Sequence, residues 1–234
     1  MPDSIAYVLS TRPLSGALIE EAAAKGVRID VVPFIDTARF QDETLTKRLE
    51  ELVKQPVVAV FTSVNAVTAI ESKERPHWKV FCLSGATRRA VAAGFGETAI
   101  VAAADSAKEL ADVIVSHESS RTSRELWFFC GDKRREELPD RLKAAGWRVH
   151  EVVVYRTILT PSRIDKTYDA IVFFSPSAVE SFFSMNSIGP QVPLFAIGRT
   201  TAAVIRQKCS NPVTVSERPE EQLLIREIIN KRQH

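Results

Sequence analysis

The sequence is poor in the residues from which disulfide frameworks and metal centres are built. Its three cysteines, Cys82, Cys130 and Cys209, form no CxxC pair, and two lie in apolar strand-like runs, VFCLS and WFFC. Buried, reduced thiols are expected. The four histidines, His77, His117, His150 and His234, are widely separated and show no HxxxH spacing, so no metal site is expected. Apolar runs such as VAVFT at 58–62 and AIVFF at 170–174 fall far short of the roughly 20 residues that span a bilayer, which argues against a membrane partner. The opening MPDSIAYVLSTRP lacks the basic and apolar regions of a secretory signal, and a cytoplasmic location is expected. Lys and Arg number 31 against 29 Asp and Glu, for a net charge of +2. These charges are spread along the chain, so no nucleic-acid-binding stripe forms.

The familiar nucleotide and hydrolase signatures are missing as well. A lone GxG at Gly94-Phe95-Gly96 lacks the third glycine and follows a helix pattern rather than a strand, so the dinucleotide fingerprint is absent. There is no GxxxxGK[ST] loop and no GxSxG elbow. No candidate nucleophile is tied by sequence to a histidine, and carboxylates fall on helical faces such as EELPDRL. No covalent mechanism is signalled.

What is present is an ordinary globular composition, 45% hydrophobic, 26% charged and 8% aromatic in 234 residues. That size suits two domains of roughly 100 to 120 residues. Short β-branched and aromatic runs alternate with helix-period stretches, the pattern of a parallel sheet covered by helices, so the class is α/β. Strands are predicted at 5–10, 27–33, 56–62, 79–84, 98–102, 125–130, 148–155, 169–175, 192–198 and 212–216.

The sequence also repeats itself. FTSVNAV from Phe61 aligns with FFSPSAV from Phe173, SGATRRAV with IGRTTAAV so that Gly85 falls on Gly198, and AAAKGVRIDVV with RLKAAGWRVHEVV so that Gly26 falls on Gly146. The order is preserved across all three segments. Each half thus supplies a βαβ opening and about three more strands, enough for a five-stranded doubly wound sheet. Whether each opening stays with its own repeat or is exchanged with the other is left open by the alignment.

In open parallel sheets ligands bind beyond the carboxyl ends of the strands, where helix N-termini present free N–H groups. Those ends carry Thr11 and Arg12, Ser63 and Asn65, Thr87, Gly131 to Arg134, Ser175 and Ser177, and Thr200 and Thr201. Hydroxyls there also serve as helix N-caps, with Pro13 and Pro176 suited to first helical turns. Capping does not account for Arg12, Arg88, Arg134 and Arg199, whose charge opposes the helix dipole unless an anion is bound. Tyr155 closes the run RVHEVVVY; its counterpart in the other repeat is Ile35. Such a residue either packs with its hydroxyl in water or acts as a phenolic donor.

Read in order, TRP near the start, FTSVNAV, SGAT, VVVYRT, FFSPSAVESF and IGRTTA resemble the uroporphyrinogen-III synthase family along the whole chain. The resemblance implies two flavodoxin-like domains with five-stranded parallel sheets and exchanged openings, 1–34 plus 158–234 and 38–154, joined by a two-strand linker at about 34–38 and 154–158. It implies a substrate, hydroxymethylbilane, lying in the cleft between them. The linear octacarboxylate would be cyclised with inversion of ring D and loss of water through a spiro intermediate, making the protein a hydro-lyase of haem biosynthesis. No metal or organic cofactor is implied. Thr11, Ser63, Thr87, Ser177, Thr200 and Thr201 resemble cleft-lining hydroxyls, with Arg12, Asn65 and Ser175 completing the candidate substrate-binding set; Asn65 falls where some relatives carry Arg. Tyr155 resembles the tyrosine that assists departure of the hydroxyl and is the candidate catalytic residue. A monomer is implied, with transient hand-over from hydroxymethylbilane synthase. The alternative is a non-enzymatic two-domain protein that binds an anion or a tetrapyrrole, for which a secretory signal would be expected. A sensor module acting on a DNA-binding partner would need a basic helix-turn-helix, for which IREIINKRQH leaves little room.

Overall fold

The computed structural model describes residues 6–40, 42–70, 77–117, 124–218 and 220–232; Ile5, which opens the first predicted strand, lies outside them. The fold is mixed α/β with parallel sheets, and the chain forms two compact units, Met1–Asp36 with Ile158–His234, and Thr37–Thr157.

The first unit contains β1 (Ala6–Ser10), α1 (Gly16–Ala24), β2 (Val27–Val31), β9 (Ala170–Phe173), α7 (Pro176–Phe183), β10 (Leu194–Ala196), α8 (Arg199–Lys208), β11 (Val213–Val215) and α9 (Glu221–Arg232). Its five-stranded sheet has the order β11-β10-β9-β1-β2, with its neighbouring strands parallel. Strand β9 shows why: Ala170 and Val172 face one core with α1 and α9, while Ile171 and Phe173 face another with α7 and α8. A strand apolar at every position is buried on both faces and needs helices on each side.

The second unit holds α2 (Glu43–Val53), β4 (Val58–Phe61), α3 (Val64–Ala69), β5 (Lys79–Leu83), α4 (Ala86–Phe95), β6 (Ile100–Ala104), α5 (Ala107–His117), β7 (Glu125–Gly131), α6 (Glu137–Ala144) and all but the last two residues of β8 (Arg148–Leu159). Along β4, Ala59 and Phe61 enter a core with α2, α3 and α4; Val58 and Val60 enter another with α5 and α6. Phe61 stacks on Phe129 at 5.2 Å and Phe129 on Trp78 at 5.1 Å. Trp78 satisfies its indole N–H by donating to the Leu52 carbonyl at 2.9 Å. This aromatic stack fixes the ends of β4 and β7, beyond which the site is built.

The second sheet has six strands, β3-β8-β7-β4-β5-β6, where β3 is Ile35–Arg39. The expected five is therefore exceeded here. Phe40 N–H donates to the Val154 carbonyl and Thr160 N–H to the Phe34 carbonyl. As one residue number rises its partner's falls, so β3 runs antiparallel to β8. Sequence patterning did not mark β3, because IDTAR has no buried position; its strand geometry comes from pairing with the outer edge of the long β8.

Without β3, the two sheets share one order: β9, β10, β11, β1 and β2 stand to the first as β4, β5, β6, β7 and β8 stand to the second. Gly26 and Gly146, aligned by the repeat, each follow a helix with φ of 73° and 83°. That left-handed conformation ends the helix and turns the chain into the next strand. Ser63 and Ser175, aligned likewise, are both N-caps. Gly85 and Gly198 do not match in conformation: φ is 70° at Gly85 and −175° at Gly198.

Candidate functional site

In each sheet the strand order reverses direction between two neighbours, β4 and β7 in the second unit and β1 and β9 in the first. The crevice outside such a switch point is where open α/β sheets place ligands.

In the second unit the structure brings Tyr155, Ser63 and Asn65 together. Ser63 caps α3, its Oγ accepting the Asn65 N–H at 3.1 Å. The same oxygen accepts the Tyr155 hydroxyl at 3.3 Å, across 92 residues of sequence. With both lone pairs engaged, the Ser63 hydroxyl hydrogen is left to donate outward. Tyr155 is half-buried against the aromatic core. Burial raises its phenol above the ordinary value of 10.0, helped by the Asp132 charge and opposed by the Ser63 hydrogen bond. The group therefore stays protonated as a donor. Thr87 is buried in the first turn of α4, behind Gly85, which offers no side-chain cap.

In the first unit Thr11 is fully buried and its hydroxyl donates to the Val172 carbonyl at 2.8 Å, tying the end of β1 to β9. Arg12 lies over the Phe174 ring at 4.2 Å and pairs with Glu221 at 2.6 Å. Ser175 caps α7, accepting the Ala178 N–H at 3.1 Å. Ser177 is buried one residue beyond Pro176, in the first turn of that helix. Thr201 is buried and Thr200 exposed, both in the first turn of α8, whose N-cap Gly198 supplies no side-chain acceptor. The opening N–H groups of α4 and α8 thus lack a side-chain cap, the arrangement that takes up water or an anion.

The strand-end arginines are mostly engaged within the protein. Arg12 meets Glu221, Arg88 meets Glu97, and Arg134 meets both Glu151 and Glu136. Burial works to raise the Glu151 carboxyl, but the Lys143 hydrogen bond and the Arg134 charge hold it below the ordinary carboxylate value. An anion drawn to these arginines has internal carboxylates to displace, whereas the opening amides of α4 and α8 have no side-chain acceptor to displace.

Two residues of the site were not singled out as site residues from the sequence, Gly131 and Asp132. Asp132 donates its N–H to the Tyr155 carbonyl at 3.1 Å and accepts the Thr157 N–H on its carboxylate at 2.8 Å. The Tyr155 ring occupies the space where a side chain on Gly131 would stand. Both belong to the strand-end run Gly131 to Arg134, and only the register of β7 on β8 reveals what they touch. Among the described residues no group of three His, Cys, Asp or Glu is placed to hold a metal ion, and no helix is long and apolar enough to cross a membrane.

The family model described as Uroporphyrinogen-III synthase HemD matches residues 16–226. No curated protein matches the chain. Among solved structures, uroporphyrinogen-III synthetase from Helicobacter pylori 26695 is similar with a TM-score of 0.68 at 14% identity, covering 97% of this chain and 99% of that one. A mutant uroporphyrinogen III synthase from the extremely thermophilic bacterium Thermus thermophilus is similar with a TM-score of 0.58 at 19% identity, again over 97% and 99%. At such identities the likeness to these two structures is one of fold.

Proposed function

Because the chain belongs to the uroporphyrinogen-III synthase family, we propose that it cyclises hydroxymethylbilane to uroporphyrinogen III, inverting ring D and releasing water. The observation that carries this reading is the family match, which spans residues 16–226. Breaking a carbon–oxygen bond with loss of water makes the reaction that of a hydro-lyase.

The substrate supplies the driving electrons. The ring A pyrrole nitrogen pushes out the hydroxyl and leaves an azafulvene; ring D attacks it through its already substituted carbon, giving a spiro intermediate that reopens and closes in the inverted sense. The protein's task is to hold a flexible polyanion in the productive fold and suppress direct end-to-end closure, which is catalysis by proximity and orientation. Hydroxyl and amide donors at the strand ends, from Ser63, Asn65, Thr87, Ser175, Ser177, Thr200 and Thr201, suit this, while Thr11, whose hydroxyl and N–H both go to the Val172 carbonyl, holds the end of β1 in place. Each such donor fixes a carboxylate directionally, where a field of free cations would only concentrate charge. The internal pairing of Arg12, Arg88 and Arg134 supports the same division of labour; Arg12 reaches a substrate carboxylate by exchanging Glu221 for it.

Tyr155 is the proposed catalytic residue, donating a hydrogen bond to the leaving oxygen. Its hydrogen bond to Ser63, at 3.3 Å, is longer than the usual O–H···O distance of about 2.7–2.8 Å and is readily exchanged for a better acceptor. The raised phenol keeps the proton available. The same reading takes the protein as a cytoplasmic monomer of haem biosynthesis with flavodoxin-like domains, fed by transient hand-over from hydroxymethylbilane synthase.

The test is to add the protein to freshly generated hydroxymethylbilane, oxidise the products and separate type I from type III uroporphyrin. A protein-dependent type III peak is expected. Type I alone, as forms spontaneously, would refute the assignment.

A further inference from the structure

Tyr155 stands on β8, yet its hydroxyl meets Ser63 beyond the end of β4, and β7 lies between those strands. The ring has to cross the end of β7. It crosses at Gly131, the last residue of β7 and the register partner of Tyr155. A methyl group built on Gly131 would stand 2.5 Å from Tyr155 Cζ, 2.6 Å from Cε2 and 2.8 Å from the hydroxyl oxygen. Carbon does not make contacts this short, so either the ring or the strand would have to shift. Gly131 is not among the glycines with positive φ; space for the ring, not backbone freedom, is what requires a glycine here.

A second feature aims the same side chain. Cys130 pairs with Val153 but Gly131 pairs with Tyr155, so β8 carries one extra residue at this point. Side chains on a regular strand alternate between faces. Here the consecutive residues Val154 and Tyr155 pack against the same core cluster. An irregularity of this kind re-aims a side chain beside a functional site. The two Asp132 hydrogen bonds, to the Tyr155 carbonyl and from the Thr157 N–H, pin the backbone on both sides of Arg156.

We propose that Gly131 is a positioning residue of the active site: its missing side chain, together with the extra residue in β8, carries Tyr155 across the end of β7 to Ser63. The inference rests on Tyr155 acting in the reaction. Gly131→Ala should lower kcat for type III formation about tenfold or more, with KM little changed. In the Tyr155→Phe background the same substitution should lower it by less than about twofold, because no hydroxyl remains to be misplaced. Equal falls in both backgrounds would overturn the proposal.

A melting comparison keeps the test decisive if Gly131→Ala folds poorly. Gly131→Ala alone should lower the melting temperature, whereas in the Tyr155→Ala background, where the ring is gone, it should leave the temperature unchanged; the same loss in both would overturn the packing argument. If Tyr155→Phe turned over at the wild-type rate, the catalytic reading of the tyrosine would fall, and the melting pair would still decide whether Gly131 places the ring.

Discussion

Replacing Ser63 by alanine takes two hydrogen bonds from one oxygen. The first is the α3 cap to the Asn65 N–H, and the second is the acceptor of the Tyr155 hydroxyl. A lost serine cap costs about 1 kcal/mol. A buried hydroxyl deprived of its partner costs about 1–3 kcal/mol. Tyr155 is only half-buried, so water recovers part of this and the low end applies. The expected total is about 2 kcal/mol for Ser63→Ala and about 1 kcal/mol for the same change in the Tyr155→Phe background, where only the cap remains to be lost. The repeat provides an internal control. Ser175 caps α7 in the equivalent place, and its Oγ accepts the Ala178 N–H, so Ser175→Ala should cost about 1 kcal/mol in the first unit. Urea unfolding separates the units optically, because Trp78, Trp127 and Trp147 all lie in Thr37–Thr157. Tryptophan fluorescence therefore follows the second unit, and far-ultraviolet circular dichroism follows both. By thermal melting, each kcal/mol corresponds to about 4 °C for a domain of this size. An identical cost of Ser63→Ala in the two backgrounds would show that the serine and the tyrosine are not coupled.

Further outcomes are expected. Tyr155→Phe should slow type III formation about a hundredfold while substrate binding is retained; a wild-type rate and isomer ratio would remove the phenol from the mechanism. Phe129→Ala should cost the second unit about 3–5 kcal/mol, since the ring is fully buried between Phe61 and Trp78; a change under about 1 kcal/mol would mean that the aromatic stack does not hold the strand ends together. Burial pushes the Cys82 thiol up to about 11 and the Cys130 thiol up to about 12. At about pH 8 both should resist a thiol reagent until the protein unfolds, with the half-buried Cys209 reacting first. A folded-state pKa raised above the unfolded value stabilises below that value, so this contribution is full below about pH 9 and lost as pH rises through the raised values. Unfolding curves for Cys82→Ala and Cys130→Ala should show a shallower alkaline decline, and a decline unchanged by both would contradict the assignment.

The strand runs were legible because their chemistry is local. Each of the ten predicted segments overlaps one of β1, β2 and β4 to β11, although β6, β7 and β8 run past the predicted ends and the other observed strands are shorter. DAIVFFS yields only Ala170–Phe173, since Ser175 is already the cap of α7. Strand β3 was not legible from pattern, because its residues, none of them buried, become a strand only by pairing with the far end of β8. The strand-end hydroxyls were visible as a class, but their partners were not. Nothing near Arg12 announces Glu221, 209 residues away, and nothing near Tyr155 announces Ser63. The space Gly131 leaves was hidden for the same reason: a glycine at a strand end reads as a turn residue until the ring that occupies its missing side chain is seen.

The strand order of the first unit has a consequence for a chain made from its N-terminus. Strand β1 is an interior strand of its sheet, flanked by β2 on one side and by β9 on the other, and β9 begins only at Ala170. The Thr37–Thr157 unit, by contrast, is one uninterrupted stretch. At ordinary elongation rates, about ten seconds or more separate synthesis of β1 from that of its partner. During that interval the apolar residues of β1 have no native neighbour on one side, while the whole second unit emerges from the ribosome and can fold. Vectorial synthesis thus favours completing the later-starting unit first, and leaves the N-terminal strands as the segment most dependent on protection from premature association.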